Sequence, residues 1–162
     1  MEPKPHPHEP TSATSDATKA TSKAIRNFFR AELSAMETYE LALRSVHHVG
    51  VHHTLQEILA SHAYRSELLR SRIGLVGTEV PNGSGVWGAF AKAFQAGADL
   101  LGDRAAIAAL ERGEDRMIEL YNSKAMTLDP LAQRLVESEL LPAQRRTHTL
   151  CMSLARYVNA PS

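Results

Sequence analysis

The sequence comprises 162 residues with a formal net charge of zero, and Cys151 is its single cysteine. This length suits one domain with its own hydrophobic core. The balanced and scattered charge predicts neither a nucleic-acid partner nor a membrane partner, because both would need a basic surface. A single cysteine excludes an internal disulfide, which fits a reducing compartment.

The first part of the chain differs in composition from the rest. Residues 1–20 carry four prolines and many serine, threonine and alanine residues, which predicts a disordered N-terminal tail. This segment lacks the apolar stretch of a secretory signal, and no apolar run approaches the roughly 20 residues of a membrane span. We therefore expect a cytoplasmic protein whose folded domain occupies residues 21–160.

A first long helix is predicted over residues 21–48, where apolar side chains recur every three or four positions. Glu32 fills the polar gap in this face between Phe29 and Met36, and Gly50 ends the helix. The apolar face consists of Ile25, Phe28, Phe29, Met36, Tyr39, Leu43 and Val46.

The second helix is predicted to begin at a capping box formed by Thr54 and Glu57. His62 lies on its apolar face between Ile58 and Leu69, and the glycine-rich stretch 74–85 ends the helix. The apolar face consists of Leu55, Ile58, Leu69, Ile73 and Val76.

The segment GVWGAFAKAFQAGADLLG predicts a short amphipathic helix capped by Ser84. Its apolar stripe contains Trp87, Phe90, Phe94 and Leu101. Because exposed aromatic stripes are unusual in monomers, we expect these side chains to pack on the bundle or on a second copy of the chain. A homo-oligomer is therefore one arrangement that the sequence allows.

Two further helices complete the chain. Asp103 is the predicted N-cap of the third, and Glu114 lies on its face with Ile107, Leu110, Met117, Tyr121 and Ala125. Asp129 and Pro130 supply the cap and first-turn proline of the fourth. His148 lies on the face of that helix, and Pro142 either kinks it or separates a short helix from the main one. This last face consists of Leu131, Leu135, Leu141, Met152, Ala155 and Val158.

The connections between the helices define the architecture. Few residues join the first helix to the second or the third to the fourth, which predicts two antiparallel hairpins. About 26 residues, 77–102, join the hairpins, enough to cross the bundle and to make the second and third helices parallel. The sequence thus predicts an all-α, antiparallel four-helix bundle with one long crossover that carries a short helix.

Glu32, His62, Glu114 and His148 place one ionisable side chain on the apolar face of each long helix. A buried charge is costly unless it is paired or ligated. The midpoint of positions 32 and 62 falls near the first interhelical turn, and that of 114 and 148 falls near the last. Because a helix rises about 1.5 Å per residue, each glutamate faces its histidine at nearly one level. The four side chains are predicted to meet in mid-bundle.

This set suggests a metal site, since carboxylate and imidazole are ligands for iron, manganese or zinc. Di-iron bundles use two Glu-x-x-His motifs, whereas Leu59 and Arg145 stand at the glutamate positions here. Four ligands suit one metal ion better than two, and the charge of Arg145 would compete with a second ion. The alternative is a metal-free buried network of Glu, His and Arg side chains.

Other residues are weaker candidates. Glu37 and Glu111 could join the site or face solvent, and Cys151 is either a soft ligand or a small core residue. Tyr39 and Tyr121 share the core faces, where packing alone accounts for them. Histidines at the first interhelical turn could chelate metal, although a solvated loop is the simpler interpretation; they are His47, His48, His52 and His53.

At these residues the chain resembles ferritin-like proteins. FRAELSA around Glu32 resembles the first helix of bacterioferritin and rubrerythrin, where the glutamate binds iron, and SHAYRSELL resembles the second-helix histidine segment. Arg112–Glu114 resembles the third-helix Gly-Glu of rubrerythrins. AELSAMETYELAL, GVWGAFAKAF, AALERGED and LLPAQRRTHTL together are similar to a bacterial ferritin-like family of unknown function, over residues 22–158.

The resemblance implies a ferritin-like fold and no known activity. With iron held by Glu32, His62, Glu114 and His148, the expected chemistry is peroxide or dioxygen reduction linked to oxidative stress. A degenerate or mononuclear site is expected because Leu59 and Arg145 depart from the di-iron pattern. The alternative is a non-enzymatic structural or interaction bundle, and iron storage would need a large shell that nothing in the sequence indicates.

Overall fold

The computed structural model describes residues 12–160, without the side chains of residues 12–15, 90 and 98–101. A 3₁₀ turn precedes each of the second and third helices, and a π-helical turn joins the last two. The helices are α1 (Ser12–Ser45), α2 (His52–Leu75), α3 (Gly88–Ala125), α4 (Pro130–Leu135) and α5 (Leu141–Asn159), with 3₁₀ turns Val49–Val51 and Gly85–Trp87 and the π turn Val136–Leu140.

The predicted all-α bundle is confirmed, and residues 12–160 contain no strand. Hydrogen bonds from Tyr39 to Glu114 and from Tyr121 to Glu32 show that α1 and α3 are antiparallel. Because α1 is also antiparallel to α2, which follows it through a short turn, α2 and α3 are parallel. The long crossover therefore runs as the sequence predicts.

Helix α1 begins nine residues before its predicted start at position 21. Residues 16–20 are helical but exposed, so they extend the helix without joining the core. Propagating an existing helix costs far less than starting one, and the alanines and lysine of this segment favour it. Residues 12–20 of the predicted disordered tail are thus helical, and residues 1–11 lie outside the described part of the chain.

One predicted helix start differs from the structure, and another agrees with it. Helix α2 begins at His52 after Val51, with no side-chain cap, so the capping box at Thr54 falls inside the helix. Helix α3 is interrupted at Gly102, whose φ of 75° is not helical, so the short crossover helix and the helix that begins near Asp103 are two segments joined at a kink, as predicted. Asp103 follows this kink and accepts hydrogen bonds from the backbone N–H groups of His47 and His48.

The fourth predicted helix is divided into α4 and α5 ahead of Pro142. This is the predicted alternative in which a short helix precedes the main one. Asp129 caps α4 by accepting hydrogen bonds from the N–H groups of Leu131 and Ala132, which confirms its predicted role. A π turn precedes α5. It lies where Pro142, which has no N–H group, cannot donate the hydrogen bond that a regular helix would make to the preceding turn.

The hydrophobic core has two parts, one toward each end of the bundle. One contains Phe28, Leu69 and Tyr121 with their neighbours, and the other contains Leu55, Ile107 and Leu154 with theirs. On every long helix, polar side chains separate the two parts. This central polar layer is formed by Glu32, His62, Arg65, Glu114, Gln144 and Thr147, all at most 1% exposed.

Candidate functional site: a buried ion-pair network

His62 connects the two carboxylates at the centre of the bundle. Its Nδ1 atom lies 2.6 Å from Oε2 of Glu32, and its Nε2 atom lies 3.0 Å from Oε1 of Glu114. Helices α1, α2 and α3 supply these three residues at one level, as their spacing from the interhelical turns predicts. Three of the four predicted metal ligands therefore meet.

Arg65, one turn after His62 on α2, is the residue that the sequence analysis missed. Its Nε atom donates to Oε1 of Glu32 over 2.7 Å, and its Nη2 atom donates to Oε1 of Gln144 over 2.9 Å. The guanidinium thus joins α1, α2 and α5. The pattern Ile58, His62, Arg65, Leu69 has an unbroken 4-3-4 spacing, which is the signal that could have identified it.

Glu114 receives hydrogen bonds at both of its oxygen atoms. Tyr39 and His62 donate to Oε1, over 2.7 and 3.0 Å. The side chains of Gln144 and Thr147 donate to Oε2, over 2.6 and 2.7 Å. This carboxylate is therefore fully satisfied without a metal ion or an external ligand.

The charges of the network balance. Burial would raise the pKa of Glu32, but the charges of Arg65 and His62 lower it to about 2. Burial and Arg65 would lower the pKa of His62, but the two carboxylates raise it above its usual value. The pKa of Glu114 is lowered against the effect of burial, chiefly by His62. Below the raised pKa of His62, two anions and two cations therefore lie together in the core.

The Nδ1 atom of His62 lies within hydrogen-bond distance of both Glu32 and Arg65. Its distance from Nη2 of Arg65 is 2.7 Å. When Nδ1 carries the proton, it donates to Glu32 beside the guanidinium; when Glu32 carries it, Nδ1 accepts from Arg65 instead. Both arrangements bind the same number of protons and leave the network neutral.

Two tyrosines complete the cluster. Tyr39 donates to Glu114, and Tyr121 donates to Oε1 of Glu32. Burial and the neighbouring carboxylate raise the pKa of each phenol well above 10. These hydroxyls therefore stay protonated and act as donors, a role beyond the packing expected for them.

His148 does not join the other predicted ligands, so its predicted position is wrong. It lies on the outer side of α5 and contacts Asp115 over 2.7 Å, while Gln144, Thr147 and Cys151 face inward. The sequence analysis chose the face marked by Met152 and Ala155, because the true face carries polar side chains in its first half. The unbroken spacing of Leu140, Gln144, Thr147, Cys151, Leu154 and Val158 is the signal that was overlooked.

Arg145 is exposed, so the positive charge expected from α5 comes from Arg65 on α2 instead. Glu37 is also exposed and accepts a hydrogen bond from Ser84, and thus lies outside the network. Glu111 is half-buried, and in the described structure no hydrogen bond joins it to the network. Cys151 is a buried core residue, where burial raises its pKa to about 12.

The aromatic residues of the crossover pack on the bundle, as predicted. Trp87 is half-buried and its Nε1 atom donates to Oδ1 of Asn27 over 2.9 Å, and Phe94 is 3% exposed. The side chain of Phe90 lies outside the described part of the structure. Trp87 also borders a cavity of about 30 Å³ between α1 and α3 that reaches His62 and Glu114, large enough for a water molecule.

The side chains do not suit the di-iron centre that this fold family implies. The guanidinium of Arg65 binds Glu32, both ring nitrogens of His62 are engaged, and Gln144-x-x-Thr147 stands at the inward i, i+3 positions of α5. A divalent ion would add its charge beside Arg65 and would have to displace these hydrogen bonds. Although Glu32, His62 and Glu114 meet, no group of three His, Cys, Asp or Glu side chains among those the structure describes has an arrangement that could hold a metal ion.

Comparison with known proteins supports the fold. No protein-family model and no curated protein matches the chain. A solved structure of a mutant of Dps1 from Mycobacterium smegmatis is similar, with a TM-score of 0.69 and 14% sequence identity, over 86% of this chain and 97% of that chain. The fold is a ferritin-like four-helix bundle, and none of its described helices has the length and apolarity to cross a membrane.

Proposed function

We propose that this protein is a non-enzymatic ferritin-like bundle, a structural or interaction module whose central ion-pair network replaces a metal centre. The observation that carries the proposal is the position of Arg65. Its guanidinium lies among Glu32, His62 and Gln144, where it supplies the positive charge that a metal ion would otherwise provide.

The protonation properties of the network support this proposal. General acid–base catalysis works best with a group whose pKa lies near the working pH. The pKa values of Glu32 and Glu114 are lowered, and those of Tyr39, Tyr121 and Cys151 are raised far above neutrality. The pKa of Arg65 is raised as well. His62, whose pKa is raised from 6.5, has both ring nitrogens bonded to carboxylates and so offers no free nitrogen to a substrate.

The test is the metal content of protein purified without a histidine tag, measured by elemental analysis after gel filtration with iron, manganese or zinc. We expect less than stoichiometric metal and unchanged thermal stability. The matched variant Leu59→Glu/Arg65→Ala restores a Glu-x-x-His motif and removes the competing charge, and should gain metal binding. Stoichiometric metal in the unmutated protein that persists through gel filtration would refute the proposal.

A second candidate is a mononuclear metal protein that acts in peroxide or dioxygen reduction. It is favoured by the meeting of Glu32, His62 and Glu114, which are ligand types for iron, manganese or zinc. In this case Arg65 would move aside on metal binding. The same elemental analysis distinguishes the candidates, and here His62→Gln would abolish metal binding while His148→Ala would leave it intact.

A further inference from the structure

A second charged feature lies outside the central network, on the surface of α1. Lys19, Lys23, Arg26 and Arg30 follow one another at intervals of four, three and four residues, which places them on one face of the helix. They line a groove of about 400 Å³ between α1 and the start of the crossover, where Thr78 lies. This volume is within the range of small-molecule sites.

Among the described residues, no carboxylate pairs with the four cationic side chains of this basic groove. Like charges at i, i+3 and i, i+4 repel each other along a helix. An anion in the groove would relieve this repulsion.

Arg26 is the most informative member of the groove. Its Nε atom is buried, and no hydrogen-bond partner reaches it within the described structure. Arg72 also has a buried unpartnered Nε atom, but its guanidinium binds Asp129 over 3.0 Å. Arg26 has no such carboxylate, so an anionic ligand would satisfy both its charge and its buried donor.

We propose that the basic groove binds a linear oligophosphate. The row of cations spans eleven helical steps from Lys19 to Arg30, about 16 Å, which suits an elongated anion better than a single phosphate group. The hydroxyl of Thr78, which accepts a hydrogen bond from the Ser22 hydroxyl over 3.4 Å, adds one donor at the wall of the groove. No aromatic side chain lines the groove, so the stacking surface that single-stranded nucleic acids use is missing.

The experiment is isothermal titration of the full chain with orthophosphate, pyrophosphate and tripolyphosphate at matched ionic strength. We expect saturable binding that strengthens with phosphate number. Lys19→Gln/Lys23→Gln should weaken tripolyphosphate binding by about tenfold or more, because two charge-assisted contacts are lost. Arg26→Gln should weaken binding as well.

The matched control is Lys92→Gln/Lys124→Gln, which removes the same charge at exposed positions elsewhere and should leave binding unchanged. Equal weakening in the control, or no saturable binding to any of the three phosphates, would overturn the proposal. A short single-stranded DNA that binds more tightly than tripolyphosphate and depends on Lys19 and Lys23 would overturn it in favour of a nucleic-acid surface. Far-UV circular dichroism establishes that each variant is folded.

Discussion

At the scale of single residues, Arg65 on α2 is fully buried. Its guanidinium donates hydrogen bonds to Glu32 on α1 and Gln144 on α5. A buried ion pair adds little stability over a well-packed apolar pair, but removing one partner leaves an unpaired charge in the core. The consequence of a substitution in the network therefore depends on whether its partner changes as well.

We predict that Arg65→Met lowers the free energy of unfolding by about 3–5 kcal/mol, because Glu32 is left buried without its main partner. Glu32→Gln/Arg65→Met should lose clearly less than the sum of the two single variants, since both partners are then neutral. Urea denaturation of the four proteins gives the coupling energy. Additive effects within about 0.5 kcal/mol would show that the pair is not coupled.

The network also predicts how stability depends on pH. The pKa of Glu32 falls from 4.5 to about 2 on folding, so its contribution is present above pH 4.5 and is lost as the pH falls toward 2. The raised pKa of His62 gives a contribution that is present below pH 6.5 and is lost as the pH rises through its folded value.

We therefore expect the stability advantage of the unmutated protein over His62→Gln to be largest below pH 6.5 and to shrink in more alkaline solution. Urea midpoints measured from about pH 5 to about pH 9 check this. His148→Gln is the matched control, because His148 lies outside the network. An advantage that grows with pH would contradict the assigned protonation of His62.

The sequence was informative about this site where a polar residue interrupts an apolar face. Glu32, His62 and Glu114 each stand among large apolar neighbours, so periodicity was sufficient to locate them. His148 was wrongly placed because Gln144 and Thr147 make the true inner face of α5 look like a surface. Whether any of these residues binds a metal remains a prediction, because periodicity carries no information about the competing bonds of Arg65.

At the scale of the elements, two irregularities interrupt the helices, the kink at Gly102 and the π turn before α5. The sequence located the helices through their apolar spacing, and Asp129 with Pro130 marked the start of α4 correctly. It also placed a helix start just after Gly102, where the backbone kinks, but it could not show that the carboxylate of Asp103 binds the backbone of His47 and His48. The exposed start of α1 was missed because it contributes no apolar face.

We predict that Gly102→Ala destabilises the protein by about 1–3 kcal/mol, because a φ of 75° with an extended ψ is accessible to glycine and strained for other residues. Gly97→Ala, in the same helix, is the control and should be neutral or stabilising by up to about 1 kcal/mol. Urea denaturation measures both. Equal effects at the two positions would mean that the bend does not depend on Gly102.

At the scale of the whole molecule, the two parts of the core are joined across the polar layer, and α1 contributes to both. Residues 16–20, near its start, are exposed. Local opening of such a segment needs no disruption of the core, whereas opening the middle of α1 would expose Phe28, Phe29 and Glu32.

We predict that native-state hydrogen exchange divides α1 into two regions. Amides of residues 16–20 should exchange by local opening, and those of residues 28–39 should exchange only on global unfolding. Exchange rates measured at several low concentrations of urea separate the two mechanisms, because only global opening is strongly promoted by urea. Uniform strong protection from residue 16 onward would indicate that another surface covers the start of the helix.

The central layer takes polar groups from α1, α2, α3 and α5 at one level. Sliding any of these helices by one turn, about 5.4 Å, would leave a carboxylate or a guanidinium opposite apolar side chains. Layers of leucine and phenylalanine do not impose this restriction, because one apolar layer can substitute for the next. The network therefore fixes the alignment of the helices along the bundle axis, and misaligned bundles are disfavoured during folding.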